Sequence, residues 1–385
     1  MSGGPDDWGG DDFGGAELVL AADRLDTPDV IEAADPGDML RQVASAAAQV
    51  RTALRSCAET DLSAFTPDAR PRAIVVAGLG GSGLAGQMLG AVTGLSSPVQ
   101  VVTAPAERLP GWVGAADTVI AVSCSGTTAE TLAIATEAAR RGCRLAAVGA
   151  ADSPLHRIAE QARAPFISVV PSGPPGSILP RSMLWGLAIP LLVIAERLGV
   201  ARIGPDVYER TASRLEEVSH QCRPASESFV NPGKSLALDL AGALPEAALD
   251  QIAAFDGPFA PGARAPARAA ESEPPAADLP DLPSWDLDYD DADQDPAPGF
   301  TPLRLVLIAD SGPDQRVAAQ QAAITELAAQ RGIGLSELAM DDEHPLVRLA
   351  GVIQLTDYAS VYLGIASGID PGQTAVIRDL SARME

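Results

Sequence analysis

At 385 residues the chain is long enough for two domains and a sizeable core. With 46% hydrophobic residues it has the composition of a globular protein, and its formal net charge of −24 would repel nucleic-acid phosphates and an anionic membrane surface. Its four cysteines, Cys57, Cys124, Cys143 and Cys222, show no CxxC spacing, and His156, His220 and His344 add no zinc pattern. Scattered single cysteines in a large core predict a reducing, cytoplasmic setting.

In chain order, residues 1–15 (MSGGPDDWGGDDFGG) are acidic and glycine-rich and read as a disordered tail, without the basic and apolar regions of a signal peptide. Residues 30–60 read as an N-terminal helix, with apolar periodicity through Met39, Val43, Ala47, Val50 and Leu54. This helix packs across the first domain or a partner chain. Residues 61–200 then alternate: strand 73–77, helix 84–92, strand 99–103, strand 118–122, helix 129–141, strand 144–149, helix 154–162, strand 166–170 and an apolar helix 181–198. Alternation of this kind predicts a parallel sheet covered on both faces. The apolar helix reads as core and would also suit a homodimer interface. No run of 18 apolar residues lacks a breaker, which predicts no membrane span.

Residues 201–259 hold a crossover helix, about 206–222, and a linker. Residues 260–300 are rich in Pro, Ala and acids; ten Asp/Glu and no Lys/Arg fall between Ala269 and Pro302, so this insert is expected to stay disordered. Residues 301–385 supply strand 303–309, helix 314–331, strand 333–339 and helix 344–367 of a second lobe. Tyr358 and Tyr362, one turn apart, read as packing residues, and His344 before Pro345 as a helix start.

The chemistry concentrates in two loops at strand ends. The first, Gly78–Gly83, matches GxGxxG at Gly78, Gly80 and Gly83. A dinucleotide site also needs an acid closing the next strand, but that strand ends in Thr103-Ala104, and Glu107 comes only after Pro105. No cofactor is therefore expected. The second loop, Ser123-Cys124-Ser125-Gly126-Thr127-Thr128, places four hydroxyls ahead of a helix. One hydroxyl would suffice for capping; four beside a second Gly/Ser loop point to a phosphate held by helix N-termini.

GLGGSGLAG, SCSGTTAETL and LPRSMLWGLAIPLL together resemble the sugar isomerase (SIS) family, and within it the bifunctional phosphoglucose/phosphomannose isomerases of actinobacterial type. The resemblance is good over about Met39 to Gly199 and patchy afterwards. The usual second loop reads SYSGNTEETL, so Cys124, Thr127 and Ala129 are departures, none of which removes a hydroxyl that the family uses. The resemblance implies a three-layer, flavodoxin-like α/β SIS domain with a parallel sheet, followed by a truncated α/β SIS-like lobe. It implies that Gly81, Ser82, Ser123, Ser125 and Thr128 hold the phosphate of a hexose phosphate and that Arg181 faces the reacting carbons.

Aldose–ketose isomerisation needs a ring-opening group, a base that carries a proton between two carbons, and a cation beside the enediolate. By the resemblance a His, a Glu and an Arg do this, with a C-terminal Lys assisting. Only Arg181 has a clear counterpart: the His position holds Leu249, the Lys position falls near Ser381, and the stretch carrying the Glu is absent. Glu246 and His344 are the candidate substitutes for proton transfer, while His156 and His220 read as surface residues. Two functions stay open, a glucose 6-phosphate/mannose 6-phosphate isomerase with a substitute acid–base set and a non-catalytic sugar-phosphate sensor.

Overall fold

The computed structural model describes residues 22–94, 97–104, 108–169, 180–241, 304–309, 315–330 and 332–372. The acidic tail 1–15, the insert 260–300, and the positions Glu246, Leu249 and Ser381 lie outside the described residues.

The N-terminal stretch forms several helices rather than one: α1 (Ala22–Leu25), α2 (Pro28–Ala34), α3 (Met39–Ala44) and α4 (Ala46–Glu59). Pro36-Gly37 breaks the first interval, and Asp38 takes a left-handed conformation there (φ 53°). The Asp35 carboxylate accepts the amides of Met39 and Leu40, which starts α3 afresh. At the second break the Ser45 hydroxyl turns back onto the Gln42 carbonyl at 2.7 Å. The two halves of the stretch then part company. Val43 joins a core built on the C-terminal helices, whereas Val50 and Ala53 join the core under the main sheet.

That sheet contains β1 (Ala73–Ala77), β2 (Gln100–Ala104), β3 (Thr118–Ser123), β4 (Arg144–Gly149) and β5 (Phe166–Ser168). All pairings are parallel and the order is β2-β1-β3-β4-β5. This is the doubly wound order 2-1-3-4-5, whose winding direction reverses between β1 and β3. The strands read as unbroken apolar runs because both faces are covered. Alternate residues sort cleanly between the layers. Ile74, Val76, Ile120 and Val122 meet α4, α5 (Gly81–Thr93) and α8 (Leu184–Arg197), while Val75, Ala77, Val119 and Ala121 meet α6 (Ala129–Arg140) and α7 (Pro154–Gln161). Ten residues of α8 are buried, and it lies against α4 and α5, so its apolarity is spent inside the fold rather than on a subunit interface.

Beyond it come α9 (Gly204–Gln221), α10 (Pro232–Ala241), β6 (Arg304–Ala309), α11 (Gln315–Gln330), β7 (Gly334–Ala339) and α12 (Pro345–Ala366). β6 and β7 pair in parallel from Arg304↔Gly334 to Ala309↔Ala339. The Asp239 carboxylate ties the pair to α10, taking Arg304 at 2.6 Å and the Ser336 hydroxyl at 3.0 Å. α12 is long and apolar enough to cross a membrane by length and composition alone, a feature that the search for an unbroken apolar run passes over. Here it is the centre of the lobe, packed on α1, α3, α9 and α10. Tyr358 and Tyr362 stack on it with ring centroids 6.2 Å apart, and the Tyr362 hydroxyl donates to the Cys222 carbonyl at 2.5 Å. Both tyrosines are buried in the core of this lobe and pack as their spacing predicts, and burial pushes the Tyr358 phenol up to about 12.

Lys234 is the sole lysine of the 385 residues, and it is fully buried at the start of α10. Its ammonium donates to the carbonyls of Pro224 (2.8 Å) and Ser226 (2.6 Å), lies 3.6 Å from the Asp26 carboxylate and faces the Tyr362 ring at 5.6 Å. Asp26 also accepts the amide and the hydroxyl of Ser228, both at 2.8 Å. Burial pulls the ammonium below its ordinary pKa, with Asp26 opposing. A compact point charge suits this carbonyl cage, where a planar guanidinium does not fit. An amine-reactive reagent should therefore leave Lys234 unmodified in the native protein and label it only as the fold opens, read by peptide mass spectrometry. Native labelling at the rate of an exposed lysine would contradict this placement.

Candidate functional site

The reversal between β1 and β3 leaves a crevice at their carboxyl ends, where open α/β sheets bind ligands. Ala77 of β1 pairs with Ala121 of β3, so the two Gly/Ser loops leave neighbouring strands. The Cys124 amide donates to the Ser82 hydroxyl at 3.4 Å, a direct link between the loops.

The first loop is compact because two of its glycines meet. A Cβ on Gly83 would stand 2.9 Å from the Gly78 carbonyl oxygen, and one on Gly78 would stand 2.9 Å from the Ser82 carbonyl oxygen. Helix α5 then begins at Gly81, one residue before Ser82, which is buried. No side chain caps α5. Gly81 and Ser82 thus sit in the first turn of a helix aimed at the crevice.

In the second loop the four hydroxyls bond to one another. The Ser123 hydroxyl lies 2.9 Å from that of Thr128, and the Ser125 hydroxyl 2.8 Å from that of Thr127. Ser123 also accepts the Gly126 amide at 3.0 Å. Thr128 occupies the N-cap position of α6, yet its side chain makes no capping hydrogen bond. Simple capping therefore does not account for these hydroxyls. Two helix N-termini, each equivalent to a partial positive charge, open beside a set of hydroxyls able to turn toward an anion. The thiol of Cys124 is half-buried here, and burial raises its pKa.

Of the expected phosphate-holding residues, Ser82, Ser123, Ser125 and Thr128 come together with Gly81 at this one crevice. Arg181 falls in a 3-10 turn, Pro180–Met183, that leads into α8, and its side chain lies outside the described part of the chain. His344 caps α12. Its Nδ1 accepts the Leu346 amide at 3.2 Å and its Nε2 lies 3.2 Å from the Arg202 carbonyl. Both ring nitrogens are engaged there rather than with either loop. Among the described residues there is no cluster of three or more His, Cys, Asp or Glu suited to a metal ion.

Gly126, Ser153, Leu155 and His156 also shape the site, in ways that the sequence reading does not assign to them. Gly126 takes φ 67°, and a Cβ on it would stand 2.1 Å from the Ser153 hydroxyl. The Leu155 amide donates to the Gly126 carbonyl at 3.0 Å. His156, expected at the surface, is partly buried and stacks on Phe166 with centroids 4.1 Å apart. The signal was available: Ser153-Pro154 directly after β4 is a helix start at the ligand-binding end of the sheet.

Residues 226–384 match the family model of the bacterial phospho-glucose isomerase C-terminal SIS domain. A bifunctional phosphoglucose/phosphomannose isomerase from Caldicellulosiruptor bescii is 30% identical over 172 residues, 45% of this chain and 49% of that protein. A protein of the same name from Thermoplasma acidophilum is 33% identical over 119 residues, 31% of this chain and 34% of that one. The chain thus spans about half the length, or less, of the curated relatives it matches. In fold, the C-terminal domain of glucosamine-fructose-6-phosphate aminotransferase from Francisella tularensis superposes with a TM-score of 0.51 at 14% identity, covering 87% of this chain and 98% of that one. In sequence and in fold, then, the chain resembles the sugar isomerase (SIS) proteins, and in sequence the bifunctional phosphoglucose/phosphomannose isomerases among them.

Proposed function

We propose that this protein binds a hexose 6-phosphate in the crevice between β1 and β3. The observation that carries the reading is the set of hydroxyls on two adjoining loops, linked through Cys124 and Ser82, at two helix N-termini left without side-chain caps. The phosphate would accept from Ser82, Ser123, Ser125 and Thr128 and from first-turn amides, and the sugar would extend toward the turn that holds Arg181. Two relatives similar to part of this chain are named bifunctional phosphoglucose/phosphomannose isomerases, which supports a phosphosugar ligand.

Of the two functions open to such a site, the engagement of His344 in a helix cap favours a sugar-phosphate sensor over an isomerase that draws its proton carrier from that residue. Arg181 and Glu246 remain the groups through which an isomerase would work, Arg181 steadying an enediolate and Glu246 moving the proton.

Fructose 6-phosphate should raise the melting temperature of the protein, and Ser125→Ala should reduce that shift; a wild type indifferent to the sugar phosphate would sink the reading. Proton NMR in heavy water with the same ligand reports the chemistry. A sensor leaves the sugar protonated, whereas deuterium appearing at the first carbon of the ketose or the second carbon of the aldose product, and lost in Ser125→Ala, would establish an isomerase and overturn the preference for a sensor.

Gly126→Ala forces a left-handed alanine against Ser153. It should weaken hexose-phosphate binding at least tenfold, equivalent to about 1.4 kcal/mol, in isothermal titration. Unchanged affinity would show that the second loop does not hold the phosphate.

A further inference from the structure

We propose that His156 is a positioning residue for the second loop, acting through Asp152 and Ser153; this rests on the reading of that loop as the phosphate site. β4 ends at Gly149, and the turn that follows lies at the same end of the sheet as the hydroxyl loop, beside it. Asp152 in that turn is one of three non-glycine residues with positive φ among the described residues (58°). A left-handed aspartate needs something to hold it. His156 supplies this: its Nδ1 accepts the Asp152 amide at 3.2 Å. In return the His156 amide donates to the Ser153 hydroxyl at 3.2 Å, the N-cap of α7. The arrangement is a capping box shifted by one residue, with histidine in the place usually held by Glu or Gln.

The ring itself is held on two sides. It stacks on Phe166 at an interplanar angle of 22°, and its Nε2 lies 3.8 Å from the Glu160 carboxylate. With Nδ1 accepting, the ring proton sits on Nε2, toward Glu160. The brace then reaches the loop. Ser153 closes on the Cα of Gly126, and the Leu155 amide takes the Gly126 carbonyl. Ser123 holds the Gly126 amide from the other side. Gly126 is thereby clamped at its amide, its carbonyl and its Cα, which sets where Ser125 and Thr127 stand on either side of it.

Two variants separate the hydrogen bond from the stack. His156→Asn keeps an acceptor at the Nδ1 position and loses the ring, whereas His156→Phe keeps a ring on Phe166 and loses the acceptor. Two readouts apply: fructose 6-phosphate affinity by isothermal titration, and the reaction rate of Cys124 with a disulfide reagent. Cys124 lies in the loop, and the other three cysteines are buried. Thermal melts of both variants accompany these measurements.

The expected result is that His156→Phe weakens binding and speeds the thiol reaction by about two- to tenfold, the range of one exposed hydrogen bond, at a melting temperature near wild type. His156→Asn should restore both to within about twofold of wild type. The proposal is overturned if His156→Phe matches wild type in thiol rate, or if both variants are impaired alike, which would mean that the ring only packs. Should wild type itself bind no sugar phosphate, the functional reading fails, and the thiol rates alone still decide whether His156 holds the loop.

Discussion

The parallel hydrogen bonding of β1 to β3 is the constraint on which the rest depends. Once these strands are neighbours, the chain must leave β1 toward β2 and β3 toward β4, over opposite faces of the sheet. Helix α5 therefore covers one face and α6 the other, and their N-termini are left side by side above the gap. The strands can be neighbours only because each is apolar on both sides, with even-numbered residues of β1 and β3 facing one layer and odd-numbered residues the other. A polar side chain in either run has to find a partner within the core or stay unsatisfied at a cost of about 1–3 kcal/mol, as the buried Thr118 hydroxyl at the start of β3 does.

The same geometry would let a chain with net charge −24 recruit an anion at the proposed site. There the loops would work with dipoles rather than with fixed charge. Ser123 pairs with Thr128 and Ser125 with Thr127, so these hydroxyls of the site are not orphaned. Exchanging these neutral contacts for bonds to a phosphate gains the difference between a neutral and a charge-assisted hydrogen bond, roughly 1 kcal/mol each. A few such gains would add to the contribution of the two helix termini.

Much of this was legible in the residues. Unbroken apolar pentads such as Ala73–Ala77 announce strands buried on both faces, and glycine or serine directly after them marks the ligand-binding end of the sheet. What periodicity cannot say is what an apolar face will meet. Leu25 and Ile31 pack with α10 and α12, more than 200 residues away in sequence, while Val50 and Ala53, only a few turns further along, pack under the main sheet. Lysine is among the least buried residue types, so nothing in the local sequence of Lys234 predicts a cage assembled from Asp26, two carbonyls and Tyr362. His156 departs from its expected surface role for a related reason. Its observed place arises from a turn in which Asp152 is left-handed, and a histidine following Pro154 carries no mark of the Asp152 bond.

The central claim is that the two loops make one anion site, and a crystal structure of the protein grown with fructose 6-phosphate tests it most directly. The account predicts the phosphate group in the β1/β3 crevice, within hydrogen-bonding distance of the Ser82, Ser123, Ser125 and Thr128 hydroxyls, with the Ser125–Thr127 and Ser123–Thr128 pairs opened toward it. A phosphate bound elsewhere, with those hydroxyl pairs intact, would contradict it.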